Sequence, residues 1–142
     1  MHAALLSFIQ AFESGDIESM KRAFSPDATS FPRVAARRPT VSERARRTRG
    51  IDPEMVVAID AAKAAGIQPP YFGIEPRDLD IRVSGDMALA TFHLVRDGEL
   101  GRRTFVLRRQ DESWKILHVH ASNVIAEDGI APARMTIPGE TT

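Results

Sequence analysis

One stretch, residues 100–124, constrains the fold more than any other; it reads LGRRTFVLRRQDESWKILHVHASNV. Its two runs of apolar and β-branched residues, 103–109 and 114–123, are separated by a polar turn and predict a β-hairpin. The second run carries His118 and His120 two positions apart. Because side chains in a strand alternate between faces, both imidazoles are predicted to lie on one side of a sheet.

Three further runs predict strands of the same sheet. Residues 27–31 read as a short first strand, residues 79–83 alternate in polarity, and residues 87–95 are mostly apolar on both faces, as in a central strand. The turn at 84–86 joins the last two runs, and Asp97-Gly98 is a hairpin signal. Most neighbouring strands are therefore predicted to be antiparallel.

Helices are predicted ahead of most of these strands. The first has an apolar stripe at helical spacing, formed by Leu5, Phe8, Ile9 and Phe12. Gly15 is predicted to end it in a left-handed cap, Asp16 to cap a second helix, and Pro26 to stop that helix. Asp52-Pro53-Glu54 is a strong start for a third helix, which we expect to end at Gly66.

The predicted order α-α-β-α-β-β-β-β is typical of an α+β domain, with three helices packed on one side of a curved, mainly antiparallel sheet. A chain of 142 residues fits one domain, which we place at residues 1–124. Residues 33–50 hold seven arginines and one acid, and predict an exposed loop or a lid over a pocket; residues 125–142 predict a loose tail. A bent sheet under helices leaves a hollow, the default ligand site.

The amino-acid composition argues against several classes of partner and site. The formal net charge is zero, which gives no reason to expect a nucleic acid or an anionic membrane as partner. The absence of Cys excludes disulfides, thiolate metal sites and thiol nucleophiles. No apolar run approaches the roughly 20 residues that span a bilayer, and the N-terminus lacks the basic leading segment of a signal peptide. We therefore expect a cytoplasmic protein.

Four segments together resemble the nuclear-transport-factor-2-like superfamily, in its SnoaL-like branch with a W-x-I-x-H-x-H-x-S strand. The opening FIQAFESGDIESMKRAFSPDATSF is similar to its helical hairpin and first strand, and GDMALATFHL, GRRTFVLRR and WKILHVHASN are similar to its closing strands. The resemblance implies a cone-shaped α+β barrel with a pocket, usually in a homodimer. Ketosteroid isomerases, polyketide cyclases, dehydratases and purely binding or assembling members share this fold, so the fold alone does not decide function.

His118 and His120 have three interpretations. Two imidazoles about 7 Å apart can act as general bases on a substrate. They can hold a metal ion, although spacing places no third ligand, and we predict no metal site. They can also be hydrogen-bonded within an interface between subunits.

The resemblance bears on which face of this strand lines the pocket. The association domain of calcium/calmodulin-dependent kinase II, a relative with a similar His-x-His strand, lines its pocket with two arginines. The corresponding positions here are Phe105 and Ala121. This departure implies an apolar cavity faced by Phe105, Leu107, Val119 and Ala121, with the two histidines turned toward a partner subunit.

Other side chains are weaker candidates. Tyr71 can donate a hydrogen bond into the cavity or only pack at a corner, and His93 can be a second donor or a satisfied core residue. Arg103 can reach an anionic ligand at the pocket mouth or lie at a solvated strand end. Trp114 shares the histidine face by alternation and is predicted as a further substrate contact. Carboxylates available as a general base, none of them in a recognisable motif, are Asp27, Asp60, Glu75, Asp78 and Asp80.

These observations predict a homodimeric pocket protein that binds a small, largely apolar organic molecule and uses no cofactor. If it is an enzyme, we expect an isomerase, cyclase or dehydratase that works by proton transfer, with His118 or His120 as base and Tyr71 and His93 as donors. The alternative is a non-catalytic assembly or accessory module, with the histidine face in the dimer contact.

Overall fold

The computed structural model describes residues 1–33, 47–96 and 98–125. Three helices and six strands follow one another as α1 His2–Ser14, α2 Ile17–Ala23, β1 Phe24–Phe31, β2 Thr48–Arg49, α3 Pro53–Ala64, β3 Arg77–Ser84, β4 Met87–Arg96, β5 Glu99–Gln110 and β6 Ser113–Ile125. The predicted α+β class, with three helices on a sheet, is confirmed. Most of the predicted Arg-rich loop and of the C-terminal tail lies outside the described residues.

The six strands form a single sheet in the order β2-β1-β6-β5-β4-β3. Strand β1 pairs with β6 in parallel, and all other neighbours are antiparallel. The sheet is therefore mixed but mainly antiparallel, as predicted. None of the helices in the described part of the chain is long and apolar enough to cross a membrane.

Local signals account for the helix ends. Gly15 ends α1 with a φ of 72°, a conformation that favours glycine. A Cβ at this position would also lie 2.6 Å from Cε2 of Tyr71, so the packing there requires glycine as well. The Asp16 carboxylate accepts a hydrogen bond from the Ser19 amide at 3.2 Å, which caps α2.

The main core lies between α1 and strands β4 to β6. Leu5 and Ile9 of α1 pack on buried side chains of the sheet, of which Leu107 and Ile116 are each only 2% exposed. A second, smaller cluster joins α1 and α2 to Ile59 of α3. Together the two clusters hold the helices over one face of the sheet, the inner face.

Several strands are longer than the sequence predicts, because pairing with a neighbour extends them past the apolar runs. Strand β5 starts at Glu99, where the β4–β5 hairpin closes, and β6 continues to Ile125, which lies opposite Glu99. Ile125 therefore belongs to the sheet and not to the predicted tail. The two-residue strand β2, which no periodicity marks, pairs with Thr29 and Ser30 of β1.

A β-bulge in β6 corrects the predicted facing of its first half. Val106 lies opposite His118 but Leu107 lies opposite Ile116, so Leu117 is an extra residue on β6. Ile116 consequently shares the inner face with Val119, three positions later. The prediction that Trp114 lies on the same face as His118 and His120 is wrong, because strict alternation does not continue through a bulge.

Candidate functional site

A cavity of about 390 Å³ lies between the inner face of the sheet and the helices. Strands β4, β5 and β6 supply one wall, and the opposite side is formed by α1, the first turns of α3 and the segment after Tyr71. Its volume falls within the range typical of small-molecule sites. The side chains that line it divide into a larger apolar group and a smaller polar group.

Phenylalanine dominates the apolar interior. The chain has seven phenylalanines, and six of them line the cavity: Phe8, Phe12, Phe24, Phe72, Phe92 and Phe105. Their rings contact one another, with centroids 5.5 Å apart for Phe8 and Phe105 and 4.8 Å apart for the stacked Phe12 and Phe72. Such walls favour a flat, largely apolar ligand.

The polar lining of the cavity consists of charged, hydroxyl and amide side chains from four places in the chain. They are Ser30, Arg33, Asp52, Glu54, Glu99, Arg103 and Asn123. Arg33 and Glu99 lie 3.9 Å apart as an ion pair. A ligand that fills the cavity therefore meets mainly apolar side chains together with a smaller set of charged and polar groups.

Asp52 is the most buried charged residue of this lining, with a relative exposure of 9%. Its Oδ1 accepts a hydrogen bond from the Glu54 amide at 3.1 Å, which caps α3 and confirms the predicted helix start. Sequence reasoning treated this carboxylate only as a cap and missed that it also lines the cavity. The sequence contains one indication of this position: Asp52 lies between Ile51 and the helix α3, both of which pack toward the core.

Strand β5 sends alternate side chains into the cavity. Glu99, Gly101, Arg103 and Phe105 line it in that order, and Val119 and Ala121 of β6 lie beside them. The structure thus places Phe105, Val119, Ala121 and Arg103 together around one cavity. Their roles as substrate contacts stay predictions. Leu107, predicted to face it too, is buried in the main core and does not line it.

The two histidines lie on the other side of the sheet, which we call the outer face. His118 Nδ1 and Thr29 Oγ1 are 2.8 Å apart, within hydrogen-bond distance. The ring of Phe31 contacts both imidazoles, with centroid distances of 5.4 Å to His118 and 5.6 Å to His120. Neither imidazole lines the cavity, so this placement does not favour either as the base for a molecule held there.

The surroundings of His118 disfavour its charged form. Partial burial lowers the pKa of the imidazole, and the nearby charges of His120 and Arg47 lower it further, against an opposing hydrogen bond at Thr29. The neutral ring is therefore the form that the folded protein stabilises.

The remaining predicted residues also lie outside the cavity lining. Tyr71 packs against Gly15 and the second core cluster, and its neighbour Phe72 reaches the cavity instead. His93 points to the outer face, where its Nδ1 is 3.5 Å from Asp78 Oδ2 and has no hydrogen-bond partner among the described residues. Trp114 packs on the main core. Within the described ranges, no group of three or more His, Asp or Glu side chains is arranged to hold a metal ion.

With this geometry in place, comparisons with known proteins identify the family. A family model described as a SnoaL-like domain matches residues 1–127. This chain belongs to the SnoaL-like domain family. The finer assignment of the SnoaL-like domain to a branch marked by its last strand stays a prediction. No curated protein sequence matches the chain.

Solved structures share the fold of this SnoaL-like domain at low sequence identity. An NTF2-like protein from Cytophaga hutchinsonii has a TM-score of 0.61 and 14% identity, covering 86% of this chain and 93% of that one. A protein from Streptomyces avermitilis, provisionally named a dehydratase of the NTF2-like family, has a TM-score of 0.59 and 24% identity over 88% and 94% of the two chains. One from Parabacteroides distasonis, provisionally named a ketosteroid isomerase, has a TM-score of 0.53 and 21% identity over 84% and 85%. These similarities establish the fold and no activity.

Proposed function

We propose that this SnoaL-like domain binds a small, largely apolar organic molecule in its phenylalanine-lined cavity and transfers a proton on it without a cofactor. The proposal assigns Asp52 as the acid–base group. The observation that carries it is the position of this carboxylate: it is nine-tenths buried and lies in the wall of a cavity otherwise lined mainly by apolar side chains.

The chemistry follows from this setting. A carboxylate accepts a proton from the carbon beside a carbonyl group, which leaves an enolate, and then returns the proton to the same or a neighbouring atom. Apolar walls exclude water and strengthen electrostatic interactions inside the cavity. Two structural neighbours carry provisional names, ketosteroid isomerase and dehydratase, for reactions that can begin with removal of a carbon-bound proton, and these names support this proposal.

The test replaces Asp52 with Asn. Asparagine caps a helix about as well as aspartate, so Asp52→Asn keeps the start of α3 while it removes the base. The matched control is Asp60→Asn, an exposed position on the same helix. The measurement is deuterium exchange at the carbon beside the carbonyl of 2-tetralone, followed by NMR in D₂O.

We expect the native protein and Asp60→Asn to accelerate the exchange, and Asp52→Asn to lose about 100-fold or more of the acceleration. Equal rates in the Asp52 variant and the native protein would show that this carboxylate is not the base. Absence of acceleration by the native protein would contradict proton transfer on this class of compound.

A second candidate function, assembly through the outer face, also has support. Large apolar side chains are exposed there: Phe31, Leu89, Val95 and Val124 are 37–44% exposed. An apolar sheet face of this kind is typical of a subunit contact. Sedimentation of the native protein and of Leu89→Lys tests it: a dimer that the variant converts to a monomer supports assembly, and a native monomer contradicts it.

A further inference from the structure

We propose that residues 72–74 form a gate through which small molecules enter and leave the cavity, and that Glu13 is the latch that holds this gate closed. The proposal rests on the proposed binding function, because it concerns access to the same cavity. It does not depend on whether Asp52 transfers a proton.

The gate separates the cavity from a second space. A cleft of about 360 Å³ lies beside the cavity, and Gly73, Ile74 and Leu94 line both spaces. Glu75 also lines the cleft, and its side chain is 88% exposed, so the cleft reaches solvent. Leu94 is held in β4 by pairing with β5. The part of the shared wall that can move is therefore the segment that contains Gly73 and Ile74.

The wall is thinnest at Gly73. This residue has no side chain, and a Cβ built on it would meet no atom within 4 Å. The backbone itself thus separates the two spaces there, with open space beside it. Gly73 has a further interaction of its own, which opening of the gate would have to break or carry along.

Glu13 holds the segment from outside. Residues 72–74 lie between α3 and β3 and belong to neither element. The main-chain carbonyl of Glu13 accepts a hydrogen bond from the Tyr71 amide at 2.9 Å, and its Oε2 accepts one from the Ile74 amide at 3.1 Å. One residue of α1 therefore clamps both ends of the segment. Wall segments without regular secondary structure open locally at a lower cost in free energy than helices and strands do.

The two ends of the clamp differ in what else holds them. Tyr71 packs tightly against Gly15 and the second core cluster, so this end serves as the hinge. At the other end, the bond from the Ile74 amide goes to the end of a side chain, which can rotate away. The bond between Glu13 and Ile74 is therefore the one that opening breaks.

Phe72 links opening of the gate to the kind of molecule that passes. Its ring stacks on Phe12 with centroids 4.8 Å apart and planes within 16° of parallel. When the segment swings out, Phe12 loses this contact. An aromatic ligand that enters can stack on Phe12 in its place, so the lost contact is recovered during entry.

The experiment measures association and dissociation rates of N-phenyl-1-naphthylamine, a neutral fluorescent aromatic compound, by stopped flow. It compares the native protein with Glu13→Ala, Glu13→Gln and the control Gln10→Ala. Alanine is a good helix former, so α1 is kept, and glutamine keeps an oxygen that can accept the bond from Ile74. Gln10 is an exposed residue of α1 and lines neither space.

We expect Glu13→Ala to accelerate association and dissociation alike by about tenfold. The dissociation constant should not change, because the latch is closed in both the free and the bound protein and is broken only while the gate is open. This unchanged constant also reports that the cavity of the variant is folded. Glu13→Gln and Gln10→Ala should keep rates close to those of the native protein.

Three outcomes would overturn the proposal. Equal rates in Glu13→Ala and the native protein, or weaker binding by Glu13→Ala without faster association, contradict the latch and leave the binding function standing. Acceleration by Gln10→Ala as large as that by Glu13→Ala also contradicts it. Failure of the native protein to bind the compound contradicts the binding function and the gate together.

Discussion

The two faces of β6 carry residues that alternate along one strand, but only the inner face contributes side chains to the cavity. The inner face presents Val119 and Ala121 to a cavity lined by phenylalanine. The outer face presents His118 and His120, which contact Thr29 and Phe31 on the adjacent strand. The two histidines, whose side chains could act in catalysis, lie away from the cavity. Val119 and Ala121, which line it, are small and apolar.

This difference shows how one extra residue decides the environment of a strand. The bulge at Leu117 lets Ile116 fill the core and Val119 face the cavity from the same side of the sheet. A regular strand would place these two side chains on opposite faces. The histidines therefore lie on the outer face while the first half of the strand still contributes to the core.

Substitutions on the inner and outer faces of the sheet should differ most in their effect on the free energy of unfolding. Leu107→Ala removes a side chain that is 2% exposed on the inner face of β5, and we expect a loss of about 2–5 kcal/mol in the free energy of unfolding. Val106 is the neighbouring residue and is half-buried on the outer face. Val106→Ala should lower the free energy of unfolding by roughly 1 kcal/mol. Urea unfolding of both variants measures this, and equal losses would contradict the assignment of faces.

The pH dependence of the free energy of unfolding tests whether His118 is partly buried on the outer face. Burial holds the pKa of His118 below its ordinary value of 6.5 in the folded protein, so the unfolded chain binds the proton more readily. This contribution to stability is complete above pH 6.5 and is lost as the pH falls from 6.5 towards and through the lower pKa of the folded state.

We expect His118→Gln to remove this part of the pH dependence, an effect smaller than that of Leu107→Ala. The measurement is urea unfolding between about pH 7.5 and pH 5. Hydrogen bonds from Ser19 and from Ser25 lower the pKa values of Asp16 and Asp27 below 3.8, so these carboxyl groups titrate outside that range. An identical pH profile for the native protein and the variant would show that His118 is not desolvated.

Much of the fold was predictable because its signals are local. The α1 stripe, the left-handed Gly15 and the Asp52 cap are each encoded within a few residues, and the structure confirms all three. The short strand β2 and the parallel pairing of β1 with β6 depend on contacts between distant parts of the chain. Periodicity carries no information about such contacts.

The candidate site was predictable only in part, for the same reason. Resemblance to a family suggested that Phe105, Leu107, Val119 and Ala121 face the cavity; all of them line it except Leu107, which is buried in the core. Asp52 was missed because a single carboxylate performs a local task, capping α3, while the fold brings it to the cavity wall. Tyr71 and Phe72 are neighbours at a corner, and only the three-dimensional packing decides which of them reaches the cavity.

The most direct test fills the cavity with a larger side chain on the inner face of β6 and uses the outer face of the same strand as a control. Ala121→Phe adds a ring on the inner face of β6, and His120→Phe adds one at the next position on the outer face. The measurement is the binding of 1-anilinonaphthalene-8-sulfonate, a fluorescent aromatic anion, to the two variants and the native protein. We expect Ala121→Phe to weaken binding by about tenfold or more and His120→Phe to leave it unchanged; the reverse result would place the binding surface on the histidine face and contradict the account.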